Sequence, residues 1–156
     1  MAAQLDYGFE MQKGTPGGLY DLSVHTVVSR TVESADGEVL NGTAVAVGTE
    51  AGVGIIKPAS NTAAFEGIVV RGGVNAENDK EGVATIVKGA TVSILTYGKI
   101  WARLVENDAP AYNDKAYAVL SGDNAGLITK TSGDTTVEIG VFIGSADNGL
   151  APVFIQ

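Results

Sequence analysis

Covalent and acid–base chemistry draw on a short set of side chains, and this sequence of 156 residues offers one imidazole, His25, and no thiol. Ser23 and Thr26 stand close to His25, which invites a Ser/His reading. The Gly-x-Ser-x-Gly elbow that would expose such a nucleophile is missing from the chain, so His25 is expected to be structural or merely exposed. Carboxylates are plentiful, and a glycosidase-type pair is defined by a separation that only a fold supplies. Asp36, Glu38, Asp108 and Asp114 all sit in turn-like contexts, where solvation and backbone hydrogen bonds account for them. No catalytic residue is expected.

Asn75, Glu77, Asp79 and Glu81 alternate as oxygen ligands do, yet a calcium loop needs Gly at its sixth position and Glu at its twelfth, and Gly82 is misplaced for it. A solvated loop is expected there, with no metal and no cofactor. The glycine-rich stretch 48–54 lacks the Gly-Lys-Ser/Thr ending of a phosphate loop and reads as a turn. Asn41-Gly42-Thr43 matches a glycosylation acceptor in form only, and a turn is favoured. Trp101, the single tryptophan, lies between Lys99 and Arg103 at strand spacing. Such a face suits recognition, and it equally suits a core ring flanked by snorkelling cations, so both readings stay open.

The elements that must position these residues are strands. Apolar residues make up 45% of the chain and charged ones 18%, which indicates a folded core, while 21 Gly with only 4 Pro imply many tight turns. Alternation marks strands at 43–47, 55–56, 68–71, 115–120, 127–130, 137–143 and 152–155, with a weaker candidate in 22–32 and a polar loop at 75–82. The clearest run, 91–105, alternates on both sides of Gly98 and predicts a hairpin turning near Tyr97-Gly98. Residues 1–41, broken by Gly8, Gly14, Gly17 and Gly18 among isolated aromatics, read as an extended N-terminal arm. Residues 42–156 read as a mostly β domain, a small barrel or sandwich.

A net charge of −8 repels a phosphate backbone, so no nucleic-acid partner is expected. No apolar run reaches the roughly 18 residues of a membrane span, and no signal-peptide pattern opens the chain, which points to a protein made in the cytoplasm with no membrane partner. The lack of cysteine removes disulfides, leaving packing, pairing or oligomerisation to supply stability.

Several segments together resemble the bacteriophage capsid decoration, or cement, proteins. They are Gly17-Gly18-Leu19-Tyr20-Asp21, the stretch from Val28-Ser29-Arg30 to Gly42-Thr43-Ala44-Val45, the run Ala64 to Arg71 with its polar loop, Gly89 to Trp101, and Tyr112 to Ala118. Asn41-Gly42 departs from the family's more apolar segment there. The resemblance implies a β-barrel-like domain without catalytic residues. It also implies an oligomer, commonly a homotrimer at three-fold or local three-fold sites on the outer surface of the virion, whose partner is the major capsid protein. On that footing Tyr7, Phe9, Leu19 and Tyr20 of the arm, with Trp101 and Arg103 of the barrel, are the candidate capsid-binding residues. Two other readings remain: a carbohydrate- or receptor-binding β domain using Trp101, and, with least support, a hydrolase using a carboxylate pair.

Overall fold

The computed structural model describes residues 13–72 and 85–156, together with the backbone of 76–78 and 84. Tyr7 and Phe9 lie outside these residues, as do Asn75, Asp79, Glu81 and the side chain of Glu77. Eleven strands and no helix are found among the described residues: β1 (Thr26–Val32), β2 (Ala44–Val47), β3 (Gly54–Ile56), β4 (Phe65–Val69), β5 (Ala76–Asn78), β6 (Ala84–Ile86), β7 (Thr91–Arg103), β8 (Lys115–Val119), β9 (Ile128–Thr129), β10 (Thr136–Phe142) and β11 (Leu150–Ile155). The expected mostly β class is observed.

Five strands close on themselves in the order β1-β3-β2-β4-β7, with β7 pairing back to β1, so this half of the molecule is a barrel with no free edge. Its pairs are antiparallel except β1 with β3. The same β7 continues into a second layer, β7-β11-β10-β8-β9. A bridge from Leu104, just past β7, to Ile128 of β9 brings the far edge of that layer back toward its start. β5 and β6 form a separate two-stranded ribbon, so part of the stretch read as a loop at 75–82 is paired.

Alternate side chains on a strand point to opposite faces, and here both faces are buried. Val45, Ile55, Val69 and Ile94 fill the barrel, together with Val32 and Val39. Their chain neighbours Ala44, Ile68 and Leu95 point outward into the larger core, where they meet Ile100, Ala102, Ile128, Ile139, Phe142 and Val153 of the second layer. Short runs of consecutive apolar residues, such as 44–47 and 68–70, are what a strand buried on two faces requires.

One expectation is corrected. No hairpin turns at Tyr97-Gly98: β7 is one strand of 13 residues. Gly98 adopts φ 131, and the alternation inverts across it. Leu95 and then Ile100 and Ala102 reach the larger core although they lie on opposite parities. The restart seen in the sequence is therefore a local irregularity that lets one strand serve two layers. The weaker strand candidate in 22–32 is present as β1 (Thr26–Val32), whose pairing with β7 closes the barrel. Among the described residues, only 13–25 lie outside the sheets in the manner of an arm.

Candidate functional site

The arm is laid along β7 as a short strap. Gly17 N–H donates to the Trp101 carbonyl at 2.9 Å, Trp101 N–H donates to the Gly18 carbonyl at 2.9 Å, and Tyr20 N–H donates to the Lys99 carbonyl at 3.1 Å, while Leu19 bridges Ile100. From the other side Arg71 N–H donates to the Gly17 carbonyl at 2.8 Å. Gly17, at φ 74, sits so close to the β4 end and to Gly42 that a Cβ would meet backbone atoms of Val69, Arg71 and Gly42 within 3.0 Å. The glycines that read as chain-breaking in the sequence thus permit close approach of two backbones.

Gly14 packs against the indole of Trp101, where a Cβ would fall among the ring atoms. Tyr20 covers the same indole, with ring centroids 5.9 Å apart and planes tilted by 43°. Trp101 is in consequence only 8% exposed. Lys13 N–H donates to an Asp147 carboxylate oxygen at 3.0 Å and holds the start of the strap. Leu19 packs down against the larger core. Arg103 is half-buried, with Nε donating to the Asn41 carbonyl at 2.8 Å, and burial lowers its pKa below the usual arginine value.

At Asp21 the chain leaves β7. The Asp21 carboxylate accepts the Ser23 hydroxyl and the Ser23 N–H, and pairs with Lys99 Nζ at 3.2 Å. The hydrogen bonds from Ser23, and then Lys99, hold its carboxyl below the ordinary 3.8. Lys99 also lies 6.0 Å from the centroid of the Phe154 ring, which Tyr97 meets edge-on at 5.5 Å. Past this neutralised pair the chain presents Leu22, 94% exposed, and Val24, 82% exposed. Val27 and Tyr97 are exposed beside them, and the β1–β7 register sets Thr26 opposite Tyr97. His25 stands in this segment with Nδ1 2.8 Å from the Ser23 carbonyl oxygen.

The result is an apolar ridge of Tyr20, Leu22, Val24, Val27 and Tyr97. Only Val53 and Tyr112 of the other large apolar side chains among the described residues are comparably exposed. A concentration of this kind is a candidate interaction surface. Of the sequence candidates among the described residues, the structure brings Leu19, Tyr20 and Trp101 together, sets Arg103 near the strap's other flank, and leaves only Tyr20 substantially exposed. Leu22, Val24, Val27 and Tyr97 were not singled out from the sequence. Leu22 and Val24 alternate with Asp21, Ser23 and His25 as the inward face of a strand would, and only the fold shows that no described residue covers them. A cavity of about 160 Å³ between Leu40 and Leu127 falls below the ~300 Å³ lower limit of ordinary ligand pockets. No cluster of three or more potential metal ligands occurs among the described residues.

Residues 3–156 match the family described as structural cement protein (E217 gp24/Pam3 gp6). The chain belongs to this family of phage cement proteins. A solved chain from the capsid of Myoviridae phage XM1 has the same fold, with a TM-score of 0.75 and 21% identity over 100% of this chain and 98% of that one. The N base of the phi29 head fibre gp8.5 gives a TM-score of 0.45 and 15% identity over 85% of this chain and 95% of that one. No curated protein sequence matches. As a cement protein, the chain is a structural component of the phage head that stabilises the shell at its surface.

Proposed function

We propose that this cement protein docks on the major capsid protein at the outside of the head, as a homotrimer and without any catalytic step, through the ridge and the arm that precedes it. The observation that carries this reading is the exposure of Leu22 and Val24 beside Tyr20 and Tyr97. Tyr7, Phe9, Leu19 and Tyr20 extend the contact along the arm, while Trp101 and Arg103 act from beneath it.

A protein that binds the assembled lattice and not its separated subunits stabilises the lattice by mass action. Three ridges held at fixed spacing in a closed cyclic oligomer convert modest contacts into avidity, and the symmetry suits a three-fold position on a shell. Burying a fully exposed Leu or Val side chain is worth about 1.5–3 kcal/mol, and every 1.4 kcal/mol is about tenfold in affinity.

The test mixes purified protein with shells lacking it and measures occupancy by imaging, after light scattering has given the mass of the free protein. The Leu22→Asp, Val24→Asp variant is expected to keep its melting temperature and lose occupancy by more than tenfold. Full occupancy by that variant would overturn the docking face, and a monomeric mass for the unaltered protein would overturn the trimer.

A further inference from the structure

We propose that Trp101 is a positioning residue for capsid docking: its indole is the seat on which the strap is registered, so that Tyr20 and the Leu22–Val24 ridge are aimed before the shell is met. The proposal rests on the docking reading above and assigns Trp101 a role beneath the contact in place of one within it.

Three observations carry it. The strap contacts the ring twice, with Gly14 packed against the indole and Tyr20 tilted against it. Both backbone polar groups of Trp101 are used by the strap, the N–H given to Gly18 and the carbonyl taken by Gly17, so ring and backbone fix the same register. Trp101 itself faces a closed environment, which leaves it no surface for a partner. The far end of the strap is held by Lys13 on Asp147, and the near end by Asp21 on Lys99. Tyr20 and Leu22 of the ridge flank that second clamp. A slip of the strap along β7 would therefore move Leu22 and Val24 directly. Ordering this segment during folding removes an entropic cost from the docking step, which is the general benefit of preorganisation.

A selective perturbation is available because Gly14 has no role in either core. Gly14→Ala places a methyl among the indole atoms and must displace the strap from the ring, by a shift of one or the other, while Trp101→Phe keeps a flat ring beside Gly14. Trp101 is also the chain's single tryptophan, so its emission reports the strap alone. With shells lacking the protein, Gly14→Ala is expected to red-shift the emission of the free protein and lower occupancy several-fold, with little change in melting temperature. Trp101→Phe is expected to retain occupancy, and the unaltered protein is expected to bind shells without a red shift.

A red shift in Gly14→Ala with unchanged occupancy would overturn the positioning role. So would an emission that Gly14→Ala leaves unmoved, or a red shift of the unaltered protein on binding, which would mean that the strap leaves its seat to dock. Leu22→Asp separates the two readings. Lost occupancy there with full occupancy in Gly14→Ala keeps the docking face and removes the seat, whereas full occupancy in Leu22→Asp removes the face itself.

Discussion

Ile94 and Leu95 are neighbours on β7 and belong to different cores, Ile94 to the closed barrel and Leu95 to the layer packed outside it. Both are fully buried, and one strand thereby ties the two halves into a single structure. Ile94→Ala and Leu95→Ala are each expected to cost about 2–5 kcal/mol. Because β7 pairs with β1 and β4 over its first half and with β11 over its second, denaturant titration of either variant should still show one transition seen alike by fluorescence and circular dichroism. Two separated transitions would mean that the halves unfold independently.

Gly98 sets where β7 changes its inward face. Its φ of 131 is one that side-chain-bearing residues rarely adopt, and a Cβ there would lie 2.7 Å from the Cβ of His25. Gly98→Ala is expected to destabilise by about 1–3 kcal/mol from the backbone alone, with the steric contact added. Removing the neighbour in a Gly98→Ala, His25→Gly double variant should recover only the steric part. Complete recovery in a thermal melt would assign the whole effect to crowding.

The strands that alternate between two cores were legible because β-branched and apolar residues persist on both parities, as at Ala44–Val47 and Ile68–Val69. The break at Gly98 was legible as a break. Its meaning was not, since a glycine at positive φ serves a tight turn and a strand irregularity equally well. β1 was only weakly legible for a related reason: Val28 and Val32 contact the barrel core, but Ser29, Arg30 and Thr31 between them weaken the apolar pattern. Trp101 could not be placed from its neighbours, because it is covered by Tyr20, distant in sequence, and by Gly14, a residue with no side chain to announce the contact. The ridge was hidden by its own alternation, which in sequence is the signature of a buried face.

Arg30 and Glu66 form the ion pair best shielded from solvent, with Arg30 Nε and one terminal nitrogen both 2.8 Å from the same Glu66 oxygen. Lys115 and Glu138 form another at 3.1 Å, with both side chains more than half exposed, and the Glu138 carboxylate raises the Lys115 pKa from its ordinary 10.5. Glu66→Ala is expected to cost about 1–3 kcal/mol, since it leaves a half-buried guanidinium without its carboxylate and with only the Ser29 carbonyl as acceptor. Glu138→Ala is expected to leave the melting temperature unmoved, because water and salt screen an exposed pair. Melts of both variants at low and high salt check the contrast.

Glu33 gives the protein an acid-sensitive loop. Its carboxylate accepts the Thr49 N–H at 2.8 Å and fills the space left by Gly48 and Gly54, so it pins the connection between β2 and β3. The hydrogen bonds from Thr49, then that from Glu50, hold its carboxyl below the ordinary 4.5. A carboxyl depressed in the folded state contributes stability that is fully present above its unfolded value and is lost as the pH falls through the folded one. The melting temperature should hold from pH 7 to about pH 5 and decline below about pH 4, with the Thr49 amide losing hydrogen-exchange protection first. Asp21 is depressed in the same direction, so the two carboxyls must be separated. Glu33→Gln is expected to begin less stable at pH 7 and to show a shallower acid decline, with the Thr49 amide no longer responding to pH beyond its intrinsic exchange. An acid decline as steep in Glu33→Gln as in the unaltered protein would place the sensitivity elsewhere, with the Asp21 turn the next group to substitute.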